Sequence, residues 1–338
     1  MKFEYTNPQS EIEEAFGGFY SINIFGAIEP GDDSMFQGFL RQAGPPPRTS
    51  VYINSGGGDV EAAIGIGRLI RDAWFETSIG QYVLDHEKPS EFIKPRKLIP
   101  GICASAATLI ILGGRLRYFS DGAKFGVHQF SFQDPSPAHI GKSQILSAKI
   151  AKYIADMGIS QKFLELSSSV INSDIRLLSE DELHSVQIIT GGMTNVTWST
   201  ELLPDFIYVR GVRDSMFGHH KVLLGYAKDG GFVFFAVIES MGRQAELTEF
   251  GLVEIIANDE DIRVDISTRC SRSINGIYVI VMCKLTNDEA ELLSRSNSFG
   301  VQIRISNEAP IFLGISAMST EGGREKLDAL YKMFSTSQ

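Results

Sequence analysis

Two hydrophobic periods alternate along the first half of the chain. Short β-branched or aromatic runs predict strands at 19–29 (FYSINIFGAIE), 51–54 (VYIN), 77–84, 99–103, 118–119, 124–130 and 187–190. Between them, apolar positions recur at helical spacing. They predict helices over 32–42, 59–73, 106–112, 140–157 and 159–168, with a short acidic helix after Leu178-Ser179. In the second of these, Val60, Ala63, Ile64, Ile66, Gly67 and Ile70 form the apolar stripe. Pro45-Pro46-Pro47 ends the helix before it, because proline has no N–H to donate. The polar stretch 85–97 reads as a surface loop. Strand, glycine turn and helix in repeated succession imply an α/β layered fold.

The pattern changes after Gly191-Gly192. From residue 205 strands dominate, at 206–212, 221–228, 231–239, 251–257, 262–269, 276–285, 299–305 and 311–316. Asp229-Gly230 and Asn275-Gly276 mark tight turns. Thr286 and Glu289 have capping-box spacing for a helix over 287–296, and a last helix is expected over 323–334. The expected organisation is an α/β domain at 1–192, a linker at 193–204, and a mostly antiparallel β (α+β) domain at 205–338. No titratable cluster in the second half suggests chemistry.

Charge narrows the function classes. The formal net charge is −10, and each half carries about −5 (17 basic and 22 acidic residues to 192, 14 and 19 beyond). With no basic segment, a nucleic-acid partner is not expected, because duplex phosphates require clustered Lys and Arg. No run of 18 apolar residues exists, so no membrane span is expected. The start, MKFEYTNPQSEIEEAF, has no apolar core of a secretory signal. A cytoplasmic protein is expected, or a periplasmic one if a leader has been removed. Three cysteines, Cys103, Cys270 and Cys283, make neither a disulfide framework nor a zinc site. Cys270 and Cys283 flank the Asn275-Gly276 turn at unequal distances, which argues against a direct pair. No metal or other cofactor is expected.

Three segments carry candidate chemistry. Asn54-Ser55-Gly56-Gly57-Gly58-Asp59 joins a strand to a helix, where glycines let backbone N–H groups face a ligand. Such amides can stabilise an oxyanion, though a plain tight β-α turn would look the same. In Gly101-Ile102-Cys103-Ala104-Ser105-Ala106-Ala107, a serine sits among small residues at a strand-to-helix junction. That setting exposes a hydroxyl beside a helix N-terminus, and equally suits a serine that caps the 106–112 helix. His128 lies on the apolar strand Lys124-Phe125-Gly126-Val127-His128-Gln129-Phe130. Serine needs an adjacent base to be a nucleophile, so Ser105 and His128 gain meaning together.

Taken in register, these segments resemble the ClpP peptidases, and more closely ClpP-like proteins of bacterial genomes outside the Clp machine. Asn54 to Val60 (NSGGGDV) is similar to the family's N-S-P-G-G-x-V, Gly101 to Gly114 to its G-x-x-A-S-x-x…G block, and Val127-His128-Gln129 to its I-H-Q. The resemblance covers residues 19–192. It implies a fold of ClpP/crotonase-like layered β-α units, with Ser105 as nucleophile, His128 as general base, and an oxyanion hole of the Gly58 and Ala106 amides. It also implies a peptide or protein substrate and a homo-oligomer, with any unfoldase partner left open. The family's acid lies shortly before an L-S-x-x-E stretch; here Asp174, one residue early, is the nearest candidate for the third catalytic member. The chain departs from the family in the proline-bearing segment Phe130 to Pro137, in the long 85–97 loop and in the whole second half.

Other readings remain open. The same fold could serve a catalytically silent binding or scaffold protein. A crotonase-type acyl-CoA enzyme shares the architecture, but usually works with carboxylates near its oxyanion loops, and here the second loop offers Ser105 and no acid. A Ser–Lys dyad could draw on Lys149 or Lys152.

Overall fold

The structure is a computed structural model that describes residues 1–16, 18–87, 92–129, 139–171 and 173–335. The chain divides into two compact units, Met1–Gly192 and Met193–Gln338. The first is α/β and the second mostly antiparallel β with packed helices.

In the first unit, β1 (Lys2–Thr6) runs antiparallel to β2 (Ser21–Phe25), with α1 (Glu11–Phe16) between them. Both β1 and α1 escape the sequence reading. β2, β3 (Ser50–Asn54) and β4 (Glu76–Ile79) then pair in parallel. The crossovers are α2 (Asp32–Ala43) and α3 (Val60–Asp72). β2 is buried over Ser21–Ile24, as a parallel strand covered on both faces must be. The stripe on α3 buries Ala63, Ile66, Gly67 and Ile70, and Asp59 caps the helix by accepting the Ala62 N–H at 2.8 Å.

The run expected as one strand over 77–84 breaks at Gly80 (φ +130°) into β4 and β5 (Gln81–Leu84). β5 forms a hairpin with β6 (Arg96–Ile99), which takes the end of the expected loop, while residues 88–91 of that loop lie outside the described residues. Pro100-Gly101 then separates β6 from β7 (Ile102–Ala104). Beyond α4 (Ala107–Leu112), β8 (Lys124–Val127) pairs in parallel with β7 and antiparallel with β9 (Arg176–Leu177). Helices α5 (His139–Asp156), α6 (Lys162–Ser168) and α7 (Glu180–Ser185) complete the unit, the last with a full capping box at Ser179 and Glu182.

Two expected strands are absent. Tyr118-Phe119 and 187–190 are irregular chain, the first tied to Thr77 O by the Tyr118 N–H (2.8 Å) and the second held by a buried side chain. The Arg117 guanidinium donates to the carbonyls of Ile188 (2.6 Å), Gln187 (2.9 Å) and Gly114 (3.0 Å). The apolar run there reflects burial of Ile188 and Ile189 rather than a ladder.

The second unit contains two antiparallel sheets. One has the order β10 (Thr197–Leu203), β11 (Phe206–Ser215), β12 (Gly218–Ala227), β13 (Gly231–Glu239), β17 (Tyr278–Lys284), β16 (Cys270–Asn275). The other has the order β15 (Ile262–Asp265), β14 (Leu252–Ala257), β18 (Ser298–Arg304), β19 (Leu313–Ser319). Helices α8 (Gln244–Glu249), α9 (Asn287–Arg295) and α10 (Arg324–Ser335) accompany them, and Thr286 and Glu289 form the expected capping box. The core gathers Phe232, Phe234, Val279, Val281, Phe299 and Val301, the inward positions of alternating strands.

Two sequence expectations need correction here. Residues 197–203, read as linker, are a sheet strand, because Trp198 is buried there and its indole N–H donates to the Ser319 carbonyl at 3.0 Å. Cys270 and Cys283 are directly opposed across β16 and β17. The turn closes on the pair Asn275 and Tyr278, so its centre lies between Gly276 and Ile277, equidistant from both cysteines.

Candidate active site

The glycine segment after β3 and the serine segment after β7 lie side by side. Ser55 continues β3 alongside β7: its N–H donates to Ile102 O (2.7 Å), and its carbonyl accepts the Ala104 N–H (3.0 Å). Asn54 Oδ1 accepts the Ile102 N–H at 3.1 Å and occupies the space where a Cβ on Gly101 would stand. Gly57 (φ +110°) then passes directly over Ser105. A Cβ on Gly57 would come within 2.7 Å of Ser105 Cβ and 3.1 Å of its Oγ. Only glycine allows that approach.

Helix packing holds the two segments together. A Cβ on Gly113 would meet the Gly67 carbonyl at 2.2 Å, so α3 and α4 cross in backbone contact. Gly58 and Asp59 lead into α3, and Ser105 and Ala106 lead into α4. The close crossing therefore brings two helix N-termini to one place.

Ser105 is half-buried, with φ +55°, a left-handed conformation that costs a non-glycine residue about 1–2 kcal/mol. Its N–H donates to Gly126 O (3.0 Å), and its carbonyl accepts from the Thr108 N–H (3.0 Å) and hydroxyl (2.7 Å). The hydroxyl caps nothing: the N-cap of α4 is Ala106, with no side-chain hydrogen bond. The alternative role for this serine, as a helix cap, is thereby removed.

Two amides flank the serine unpaired. In the bridge between Ile28 and Gly58, Ile28 bonds the Gly57 carbonyl and the Asp59 N–H. That alternation turns the Gly58 N–H to the other edge, the one on which Ser55 bridges Cys103. Among the described residues neither the Gly58 N–H nor the Ala106 N–H has an acceptor. Free amides beside a strained serine suit a developing oxyanion, to which each donor is typically worth roughly a hundredfold to a thousandfold in rate.

His128 directly follows β8, and Ser105 directly follows β7, the parallel neighbour. Continued by one step, the β7–β8 register puts Val127 opposite Ser105, so His128 stands one residue further along the neighbouring strand. Among the described residues no hydrogen bond joins the two side chains. The half-buried imidazole places Nδ1 at 2.8 Å from Gln129 O. A carbonyl can only accept, so Nδ1 carries the proton and Nε2 of the neutral ring keeps its lone pair.

Among the described residues no hydrogen bond joins Asp174 to His128. The β8–β9 register pairs Val127 with Arg176, and one further step sets Ile175 opposite His128. The Ile175 side chain lies over Gly126, where a Cβ would come within 2.6 Å of its Cγ2. Asp174 is exposed and accepts from the Ser173 hydroxyl at 3.3 Å. Lys149 pairs with Glu61, and Lys152 with Asp156 at 3.3 Å, so both lysines are engaged on the helix surface. The nearest acid to the glycine loop, Asp59, is spent on its helix cap. The segment Phe130 to Pro137 lies outside the described residues. Sequence reasoning missed the roles of Gly57 and the Gln129 carbonyl; the glycine run at 56–58 was the available signal for the first, and nothing in the sequence marked the second.

The second unit also gathers titratable groups, contrary to expectation. Asp214 Oδ1 lies 2.7 Å from His219 Nδ1, both residues buried, beside His220 and Glu239. His220, Glu239 and Arg213 line a mostly apolar cavity of about 530 Å³. Among the described residues, no group of His, Cys, Asp and Glu could hold a metal ion, and no helix is long and apolar enough to cross a membrane.

No family model matches the chain, and no curated protein matches it. Among solved structures, the chain is similar to ClpP1 from Listeria monocytogenes and to a mutant of that protein. Each is 19% identical, with 50% of this chain and 88% of that chain covered, at a TM-score of 0.36. At that score the likeness says nothing of chemistry.

Proposed function

We propose that the first unit is a serine hydrolase of peptidase type. The observation that carries the reading is the pair of unpaired amides, Gly58 and Ala106, on either side of a serine in left-handed conformation whose hydroxyl caps nothing. Ser105 attacks the acyl carbon while His128 Nε2 takes its proton. The Gln129 carbonyl holds the tautomer and orients the ring, a task given to a carboxylate in other serine hydrolases. The two amides bind the oxyanion, and the protonated His128 then returns its proton to the leaving group.

A peptide or protein substrate is the class favoured by the resemblance of the three motifs to the ClpP peptidases. A homo-oligomer fits the exposed apolar side chains of Ile171, Ile175 and Leu177 beside the site. The second unit serves recognition or assembly without chemistry of its own. Fluorophosphonate treatment of the full chain tests the reading: the label should map to Ser105. A label on another serine, or none on the assembled protein, leaves the silent scaffold as the better account.

A further inference from the structure

We infer that Cys270 and Cys283 are a disulfide-forming pair, a redox modification site that staples the edge strand β16 to the sheet of the second unit. Their register sets them directly opposite each other, and β16 has β17 as its sheet neighbour on one side only. Opposed residues of an antiparallel pair either exchange two hydrogen bonds or none. The Cys270 N–H is already given to Ile266 O at 2.9 Å, so this is a non-hydrogen-bonded pair. Counting from the closing pair Asn275 and Tyr278 gives the same phase, because bonded and non-bonded pairs alternate. Non-bonded pairs hold their Cα atoms about 4.5 Å apart, inside the disulfide range of about 4.4–6.8 Å.

Both side chains face the same way. In β17 the buried positions are Val279, Val281 and Cys283, and directly opposed residues share a face. Cys283 is buried and Cys270 half-buried, and both thiols are free in the structure. Cys270 is therefore the entry point for an oxidant. Burial pushes both thiols up, so exchange is slow at neutral pH and quickens as pH rises.

The oxidant is a small-molecule disulfide. The Cys270 thiolate attacks one of its sulfurs, forming a mixed disulfide and releasing one thiolate. The Cys283 thiolate attacks Cys270 Sγ, closing the protein disulfide and expelling the second small thiolate. Two protein thiols are oxidised, one small disulfide is reduced, and the two protons pass to the released thiolates. Cys103, buried in the other unit with its thiol also pushed up, is left out.

The experiment treats the full chain with oxidised glutathione at mildly alkaline pH, then alkylates free thiols in denaturant and maps peptides by mass spectrometry. The expected result is loss of two of the three thiols, a mass decrease of two hydrogens, and one peptide linking Cys270 to Cys283, all reversed by dithiothreitol. C283S should instead stop at a stable glutathione adduct on Cys270, and C270S should react far more slowly. A lasting Cys270 adduct in the wild-type chain, a bond to Cys103 or to a second copy, or three unreacted thiols would each overturn the inference.

Discussion

The loops around Ser105 and the β16–β17 hairpin solve the same problem, holding two side chains together, by opposite means. The hairpin uses a regular ladder: once its turn closes on Asn275 and Tyr278, every later pair follows at fixed spacing. Around Ser105 no single ladder suffices. The site draws on two helix starts, a strained serine, and glycines at 57, 58, 67, 101 and 113 that sit where a Cβ would clash. Regular pairing is robust, and it consumes the amides that face the partner strand. Irregular backbone leaves amides free, and its geometry depends on a few contacts that a single methyl group can disturb.

Several substitutions break or sharpen this contrast. The largest effect is expected from Ser105→Ala, which removes the nucleophile. Acyl-transfer activity and fluorophosphonate labelling should fall by at least about a thousandfold, while circular dichroism stays unchanged because the side chain makes no structural hydrogen bond. Retained labelling would place the chemistry elsewhere.

Glu13→Gln tests whether the first unit hangs on single polar ties. The Glu13 carboxylate is buried, bidentate with Arg96 at 2.9 and 2.7 Å, and also accepts the N–H groups of Gln9 and Lys94 at 2.6 Å each. The substitution strands the buried Arg96 guanidinium, and breaking such pairs typically costs about 3–5 kcal/mol. The Arg96 hydrogen bonds hold the carboxyl down at about 2, below its ordinary value of 4.5. A depressed folded pKa stabilises above the unfolded value and loses that contribution as pH falls toward the folded one. Melting temperatures of wild type and variant should therefore differ most above pH 4.5 and converge on acidification toward pH 2. A gap independent of pH would show that the tie is not ionic.

Gly57→Ala and Gly276→Ala form a matched pair, one in each region. Both glycines have positive φ, at +110° and +59°. A Cβ at 276 meets open space, so its cost is the turn strain alone, about 1 kcal/mol, with labelling of Ser105 unchanged. A Cβ at 57 strikes Ser105, and labelling should slow by roughly a hundredfold, as misplacement by an ångström commonly does. Equal labelling rates in the two variants would dissolve the contrast.

The smallest effect is expected from Asp174→Asn. With the Gln129 carbonyl orienting His128, turnover should change by less than about threefold, since exposed substitutions away from buried partners are usually mild. A loss of a hundredfold or more would return Asp174 to the site and require β9 to shift by one residue.

The elements were legible in the sequence wherever a local rule governed them. Period alone located the α3 stripe and most strands of the second unit, and spacing alone located the capping box at Thr286 and Glu289. Motif order pointed to Ser105, Gly58 and His128 because each stands at the end of a strand or the start of a helix, where composition is constrained locally. Relations between segments were not legible. The face of β9 that meets His128 depends on register, and a slip of one residue exchanges Ile175 for Asp174. The partnership of Cys270 with Cys283 depended on which two residues make the turn. Trp198 looked like linker because its burial comes from Gly211 and Gly323, residues distant in sequence that lie against its ring. Sequence spacing encodes what neighbours along the chain require of one another, while register and close approach are chosen by burial of the whole surface at once, which only the tertiary structure decides.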